Sequence, residues 1–303
     1  MRAFALFVAL LAGSLIVAAV FTYPAWWLVS LVSIEPVHRV MHRIAMLLAL
    51  IGLVVLTRRL GLTDKESLGY GLPRGQFLRQ MGIGFICGIG LMVPLTALLL
   101  GLDIREVKPE FAGHWLGLIA GGLLTGVTVA FIEETFFRGV LFTAISRTSG
   151  AAAAVIAPSV LYASLHFLGG KLRVAPEDVS WFHGFEVLSK LFERYVEPLT
   201  FADSFVALAM LGVLFALVRL RTGAIAGCIG LHAAGVGFIA VLREATTTNP
   251  DTQYAVLVGN YDGVIGWAAL VWFSVIAAAF VLLSKRRAKA VEHSRDNREQ
   301  HRT

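Results

Sequence analysis

Apolar runs of about 20 residues recur along nearly the whole chain, each long enough, as a helix, to span a hydrocarbon core of about 30 Å. Eight candidate spans fall roughly at 3–30, 40–60, 77–101, 114–147, 150–168, 202–220, 222–243 and 263–284. The expected fold is therefore all-α: a polytopic transmembrane helical bundle of about eight helices, with an amphipathic loop helix. Hydrophobic residues make up 57% of the chain and charged ones only 15%, where a soluble domain carries about 25%. Residues 1–284 read as a single transmembrane domain and 285–303 as a basic cytoplasmic tail. The tail is charged and lacks apolar periodicity, so it is expected to be disordered.

Arg2 and the apolar stretch to Phe21 resemble a signal peptide. The stretch exceeds the usual h-region and reads instead as the first span, ended or kinked by Pro24. The fourth run is too long to cross upright and should tilt or protrude. Cys87 and Cys228 each sit in an apolar run and suggest small buried thiols rather than a disulfide framework.

The net charge of +6 does not call for nucleic acid, because the basic residues sit in connections and in the tail. Eight spans put both termini on one side. That side collects Arg2, Arg58, Arg59, Lys65, Arg74, Arg79, Arg147, Arg219 and Arg221, plus seven basic residues from Lys285 to Arg302. The other side holds nine, among them Arg105, Lys108, Lys190, Arg194 and Arg243. The bias predicts an integral, multi-pass membrane protein with both termini cytoplasmic.

The longest connection, 169–201, carries Trp181, Phe182, Phe185, Leu188, Leu191, Phe192, Tyr195 and Val196 at helical spacing, with charges largely between them. An amphipathic helix lying along the interface is expected, either as a passive surface element or as a guide for substrate entry.

Charge inside a span costs at least about 2.5–3.5 kcal/mol and marks function. Away from span ends it occurs in one place, at Glu133, Glu134 and Arg138. Glu134 and Arg138 are four apart, with the acid first, and should form an ion pair on one helix face. Glu133 points about 100° away and lacks a partner on its own helix. It is the candidate general base. The bland alternative is an ion-pair network that only fixes packing.

His166 and His232 are the next intramembrane polar residues. The turn between spans four and five should fall near Thr148, Ser149 and Gly150. Glu133 and His166 each lie about 16 residues, or about 24 Å, from it, which sets them at one depth. His232 sits about 15 Å into span seven, compatible with the same layer. Gly223, Gly227, Gly230, Gly235 and Gly237 surround it and suit close helix packing.

At these residues the chain resembles the type II CAAX prenyl endoprotease and bacteriocin-processing group, the CPBP intramembrane proteases. The resemblance covers about 115–243. It rests on Glu133-Glu134-x-x-x-Arg138, on Tyr162-x-x-x-His166, where phenylalanine is the usual aromatic, and on Arg221-Thr-Gly223 with Gly230-Leu-His232. It implies a glutamate-dependent intramembrane endopeptidase acting on a peptide or lipidated protein. Glu133 and His166 would activate water, His232 would help hold the oxyanion, and Glu134 and Arg138 would support the site. Much of the family has an asparagine four residues after the last histidine, completing the oxyanion site. Here that residue is Val236. A backbone N–H or another side chain then substitutes, or activity is weak, or the chain is no longer a protease.

No cofactor is expected. The alternative is Zn2+ on Glu133, His166 and His232, although no His-Glu-x-x-His motif is present. A transporter or proton relay would also bury Glu and His, but the repeats and broken helices of such folds are not evident. A non-catalytic immunity or scaffold protein that retains the fold is the other alternative.

Overall fold

The computed structural model describes residues 1–109 and 115–300, with side chains to 286. The helices are α1 (Arg2–Ser30), α2 (Val37–Arg59), α3 (Arg74–Gly101), α4 (Trp115–Glu134), α5 (Phe142–His166), α6 (Phe182–Leu191), α7 (Ala202–Thr222), α8 (Ala226–Ala245) and α9 (Trp267–Gln300). A π-helical segment, Thr135–Leu141, joins α4 to α5.

Among the described residues, seven helical runs are long and apolar enough to cross a membrane. One of them, Trp115–His166, is 52 residues long, or about 78 Å at 1.5 Å per residue, far more than a bilayer needs. It breaks at Gly150, where φ is 82° and ψ is 171°. A side chain strains at positive φ and glycine does not, so the chain turns where the sequence reading set the turn. Counted as two helices, this run restores the expected eight.

Outward faces are apolar: Ile16, Phe21, Leu47, Ile51, Ile86, Leu124 and Val271 are all more than half exposed. Such a surface is unfavourable in water and ordinary against acyl chains. Small residues bring α8 close to its neighbours. A Cβ on Gly126 would meet the Ala233 carbonyl, one on Gly84 the Gly227 backbone, and one on Gly230 the backbone of Met81 and Phe85. The helix that carries His232 is thereby held between α3 and α4.

α1 runs through Pro24 to Ser30, the end expected for the first span. Two expectations need correction. α9 remains helical to Gln300, although disorder was expected beyond residue 284. Ala, Lys, Arg and Glu dominate that stretch and are strong helix formers, so propensity extends the helix past the apolar run. Arg302 lies outside the described residues. The amphipathic helix is shorter than its pattern: α6 ends at Leu191, and separate 3-10 turns follow at Glu193–Val196 and Pro198–Thr200. Pro198 disfavours helical backbone at Glu197, which adopts φ −122°, ψ 70°.

α6 is apolar on two faces. Gly184, Val187 and Leu191 are buried, and Gly184 fits tightly against Ala19 and Thr22 of α1. Trp181, Phe182 and Phe185 point outward, Phe182 being 81% exposed. A helix packed on the bundle with an outward aromatic face suits the membrane interface.

A short antiparallel ribbon, β1 (Arg105–Val107) with β2 (Thr246–Thr248), pairs Arg105 with Thr248. Arg105 is 4% exposed. Its guanidinium donates to Thr246 Oγ1 at 2.6 Å, Thr248 Oγ1 at 3.2 Å, and the Thr246 and Gly263 carbonyls. This charge, counted from the sequence as a loop cation, pins the α3–α4 connection to the α8–α9 connection on one face of the bundle.

Candidate active site

Glu134 ends α4 and is fully buried. Its Oε1 accepts from Arg138 Nη1 at 3.0 Å and from His232 Nδ1 at 2.8 Å. The expected pairing of Glu134 with Arg138 is present, and the carboxylate also reaches across to α8. Arg138 Nη2 donates to the Gly212 carbonyl at 3.0 Å. Its guanidinium carbon lies 4.9 Å from the Tyr162 ring centre and 5.1 Å from that of Phe215. A buried cation is stabilised this way by an anion, a carbonyl and π faces together.

The π segment was not legible in the sequence. Its hydrogen bonds run i to i+5, as from the Phe142 N–H to the Phe137 carbonyl. Such segments recur at functional sites. Here it carries Arg138, and the Arg138 carbonyl accepts from Arg219 Nε at 3.0 Å. Arg219 is 7% exposed and reaches Thr143 Oγ1, which in turn donates to the Ser67 carbonyl. The sequence reading counted Arg219 as a topological charge and missed this bracing role. The one available signal was its place on α7 a turn before the helix end.

Glu133 Oε2 lies 3.8 Å from His232 Nε2, beyond direct hydrogen-bond length. That oxygen is buried and has no hydrogen-bond partner among the described residues. His232 therefore sits between two carboxylates, bonded to one and close to the other.

His166, at the end of α5, faces the same space. Glu133, Tyr162 and His166 line a cavity of about 310 Å3 whose other walls are apolar, including Leu11 of α1 and Met46, Leu50 and Leu53 of α2. The His166 Nδ1 bonds its own helix at the Tyr162 carbonyl, 2.7 Å away. A carbonyl only accepts, so Nδ1 carries the proton and Nε2 holds the lone pair in the neutral ring.

A second cavity, about 260 Å3, shares Tyr162 and His166 with the first and adds His232 and Val236. It also reaches Arg243, Tyr261 and Asp262. His232 and Arg243 are eleven residues apart on α8, about 16 Å along the helix. Asp262, in the connection before α9, accepts from the Val264 and Ile265 N–H groups at 2.9 and 2.8 Å. Burial nonetheless raises its carboxyl above the ordinary aspartate range.

Among the described residues no group of three His, Cys, Asp or Glu side chains is placed to hold a metal ion. Glu134 Oε1 is engaged by Arg138 and His232, and each histidine Nδ1 is committed to a hydrogen bond. Within the trio of the zinc alternative, Glu133 and the Nε2 atoms of His166 and His232 make no hydrogen bond among the described residues. His38 and His42 meet edge to face with ring centres 6.1 Å apart, and His38 Nδ1 donates to the Leu172 carbonyl. Cys87 and Cys228 are free thiols; Cys228 is buried, whereas Cys87, against expectation, is exposed on α3.

A bundle of apolar helices around paired carboxylates, an arginine and two imidazoles is an integral, multi-pass membrane protein with ionisable groups in its interior. Residues 115–237 match the family described as type II CAAX prenyl endopeptidase, Rce1-like. The match covers about two fifths of the chain and holds every residue of the site. Over that stretch the chain is similar to intramembrane proteases of this kind. Neither a curated protein nor a solved structure matches.

Proposed function

We propose that the protein is an endopeptidase that cuts a membrane-associated or lipidated substrate, with Glu133 and His166 as the water-activating pair and His232 as an oxyanion donor. The observation that carries this reading is the placement of Glu133: a carboxylate oxygen without a partner, beside His232, in a cavity shared with His166.

The chemistry balances with these groups. Water oxygen bonds to the scissile carbonyl carbon while Glu133 takes a water proton, assisted by the free Nε2 of His166. The C=O electron pair moves onto oxygen, and a doubly protonated His232 donates to it through Nε2 while Nδ1 stays on Glu134. The tetrahedral centre collapses, the C–N bond breaks, and the proton held by Glu133 passes to the leaving nitrogen. The products are an acid and an amine. No step needs a metal. The apolar first cavity suits the part of the substrate that lies in lipid, such as a prenyl chain on a CAAX peptide. The second, with its charged rim at Arg243 and Asp262, suits access by water.

The test uses the full chain in lipid nanodiscs with a quenched prenyl-CAAX peptide. Glu133→Gln should lower turnover at least about 100-fold, in the range of a lost general base, with unchanged thermal unfolding. Chelator should leave the parent rate intact. Equal cleavage by parent and variant rejects the hydrolytic reading. Chelator-sensitive, zinc-restored cleavage rejects the metal-free step. The scaffold alternative, motivated by Val236, predicts no Glu133-dependent cleavage at all.

A further inference from the structure

The resemblance implies an asparagine at position 236, where this chain has Val236, which offers no side-chain donor to the second cavity. Val236 lines it together with Tyr162, His166 and His232. A backbone N–H from α8 does not replace the amide. Val236 lies inside the helix Ala226–Ala245, where N–H groups are spent on the carbonyl four residues back. Arg138 lines neither cavity, and Arg243 lies about 16 Å along α8 from His232. Of the two phenols that line the second cavity, Tyr261 packs on Phe167 and beneath Arg194, whereas Tyr162 packs directly on His166 and His232.

Tyr162 also differs from the phenylalanine that the resemblance implies at this position. It is only 2% exposed, yet it lines both cavities. Buried tyrosine hydroxyls ordinarily find a partner. Among the described residues this one has no hydrogen bond, although its backbone carbonyl is engaged by His166. Its ring is held on several sides: Phe137 edge-on at 5.4 Å, His166 at 4.3 Å, His232 edge-on at 6.0 Å, and the Arg138 guanidinium at 4.9 Å. A fixed ring with a free O–H, facing the space where the substrate carbonyl must lie, is a preorganised donor.

We propose that Tyr162 is a further catalytic residue, whose phenol O–H donates to the oxyanion in place of the amide absent at Val236. The inference rests on the protease reading above. It makes the two departures one exchange: a donor lost on α8 and a donor gained on α5, on walls of one cavity.

The test is Tyr162→Phe in the nanodisc assay with the quenched prenyl-CAAX peptide, beside Glu133→Gln. Tyr162→Phe removes one oxygen and leaves the ring packing intact. The expected result is a kcat lower by about 100–1,000-fold, the cost of one oxyanion donor, with KM within about threefold and the acid limb of the kcat–pH profile unmoved. Adding Val236→Asn to Tyr162→Phe should recover at least about a tenth of the parent kcat, the donor being restored from the other wall. Should that double variant fail to fold, the kcat–KM split and the pH profile of the single variant decide. A Tyr162→Phe enzyme within about threefold of the parent kcat overturns the assignment, one oxyanion donor being worth far more. So does a rate loss that returns at higher pH, which would mean that Tyr162 only orients Glu133. If Glu133→Gln is inactive and Tyr162→Phe is not, the protease reading stands and this inference falls. Cleavage unaffected by Glu133→Gln, or none by the parent chain, overturns both.

Discussion

At the scale of single residues, adjacent glutamates have different roles because of a rotation of about 100° between them. Glu134 is sealed, with Arg138 and His232 on one oxygen. Removing Arg138 would leave that carboxylate with His232 alone, and breaking a buried pair costs about 3–5 kcal/mol. Arg138→Leu should therefore lower folded yield and thermal midpoint in detergent. Glu133→Gln, which breaks no hydrogen bond, should not. Adding Glu134→Gln to Arg138→Leu should recover part of the loss, since no net charge is left buried. Equal midpoints for Arg138→Leu and parent would mean that water reaches the pair. Asp262 gives a pH-dependent case. Burial raises its folded value above that of the unfolded chain, so the folded state holds the proton more tightly between the two. Stability then falls as pH rises through that window. Asp262→Asn keeps an acceptor for the Val264 and Ile265 N–H groups and should flatten this slope in unfolding curves taken across the window. An unchanged slope would assign it to another group. The spacing of Glu133, Glu134 and Arg138 was readable in the sequence because helix periodicity fixes which residues share a face. The link from Glu134 to His232 was not, because nothing in local spacing reports a contact spanning 98 residues.

At the scale of elements, apolar run length located the spans to within a few residues, since bilayer thickness sets it. Turn chemistry located the break at Gly150. What escaped was departure from regular geometry inside a span. The π segment leaves the apolar pattern unchanged, so hydropathy does not register it, and its bracing by Arg219 is tertiary. Glycines on α8 were legible as packing residues but not as to which helix they meet. The structure sets Gly230 against the backbone of Met81 and Phe85 on α3, and Gly126 against Ala233. Backbone does not yield as a flexible side chain does, so Gly230→Val should push α8 from α3 and displace His232. The expected outcome is loss of the folded fraction on size exclusion, and loss of turnover in whatever remains folded. Gly235→Ala is the control, because a Cβ there meets nothing within 4 Å. A folded, active Gly230→Val protein would show that this crossing does not hold the site.

At the scale of the whole molecule, charge bias and contacts give the same pairing of ends. Residues assigned from the sequence to one side meet there: Met1 contacts Ser149, Arg147 contacts Ser67, and Arg221 contacts Ser284. Residues assigned to the other side meet each other as well, with Lys108 on the Glu244 carbonyl and Arg194 over Tyr261. This agreement follows from an even number of crossings, and it does not depend on which side is the cytoplasm. The excess of Lys and Arg proposes that the Ser149 side is cytoplasmic. Single cysteines in a background carrying Cys87→Ala and Cys228→Ala separate the two questions. Thr148→Cys lies beside the Gly150 turn, and Val196→Cys, at a position 79% exposed, follows α6 on the opposite side. In sealed vesicles of known orientation, an impermeant maleimide should label Thr148→Cys from the cytoplasmic face alone and Val196→Cys from the other face alone. The reverse pattern keeps the bundle and inverts it, placing the charged rim at Arg243 and Asp262 toward the cytoplasm. Labelling of both from one face removes a crossing between them. It would then separate Glu133 from His166, since their shared depth depends on the chain turning at Gly150 and returning through the bilayer.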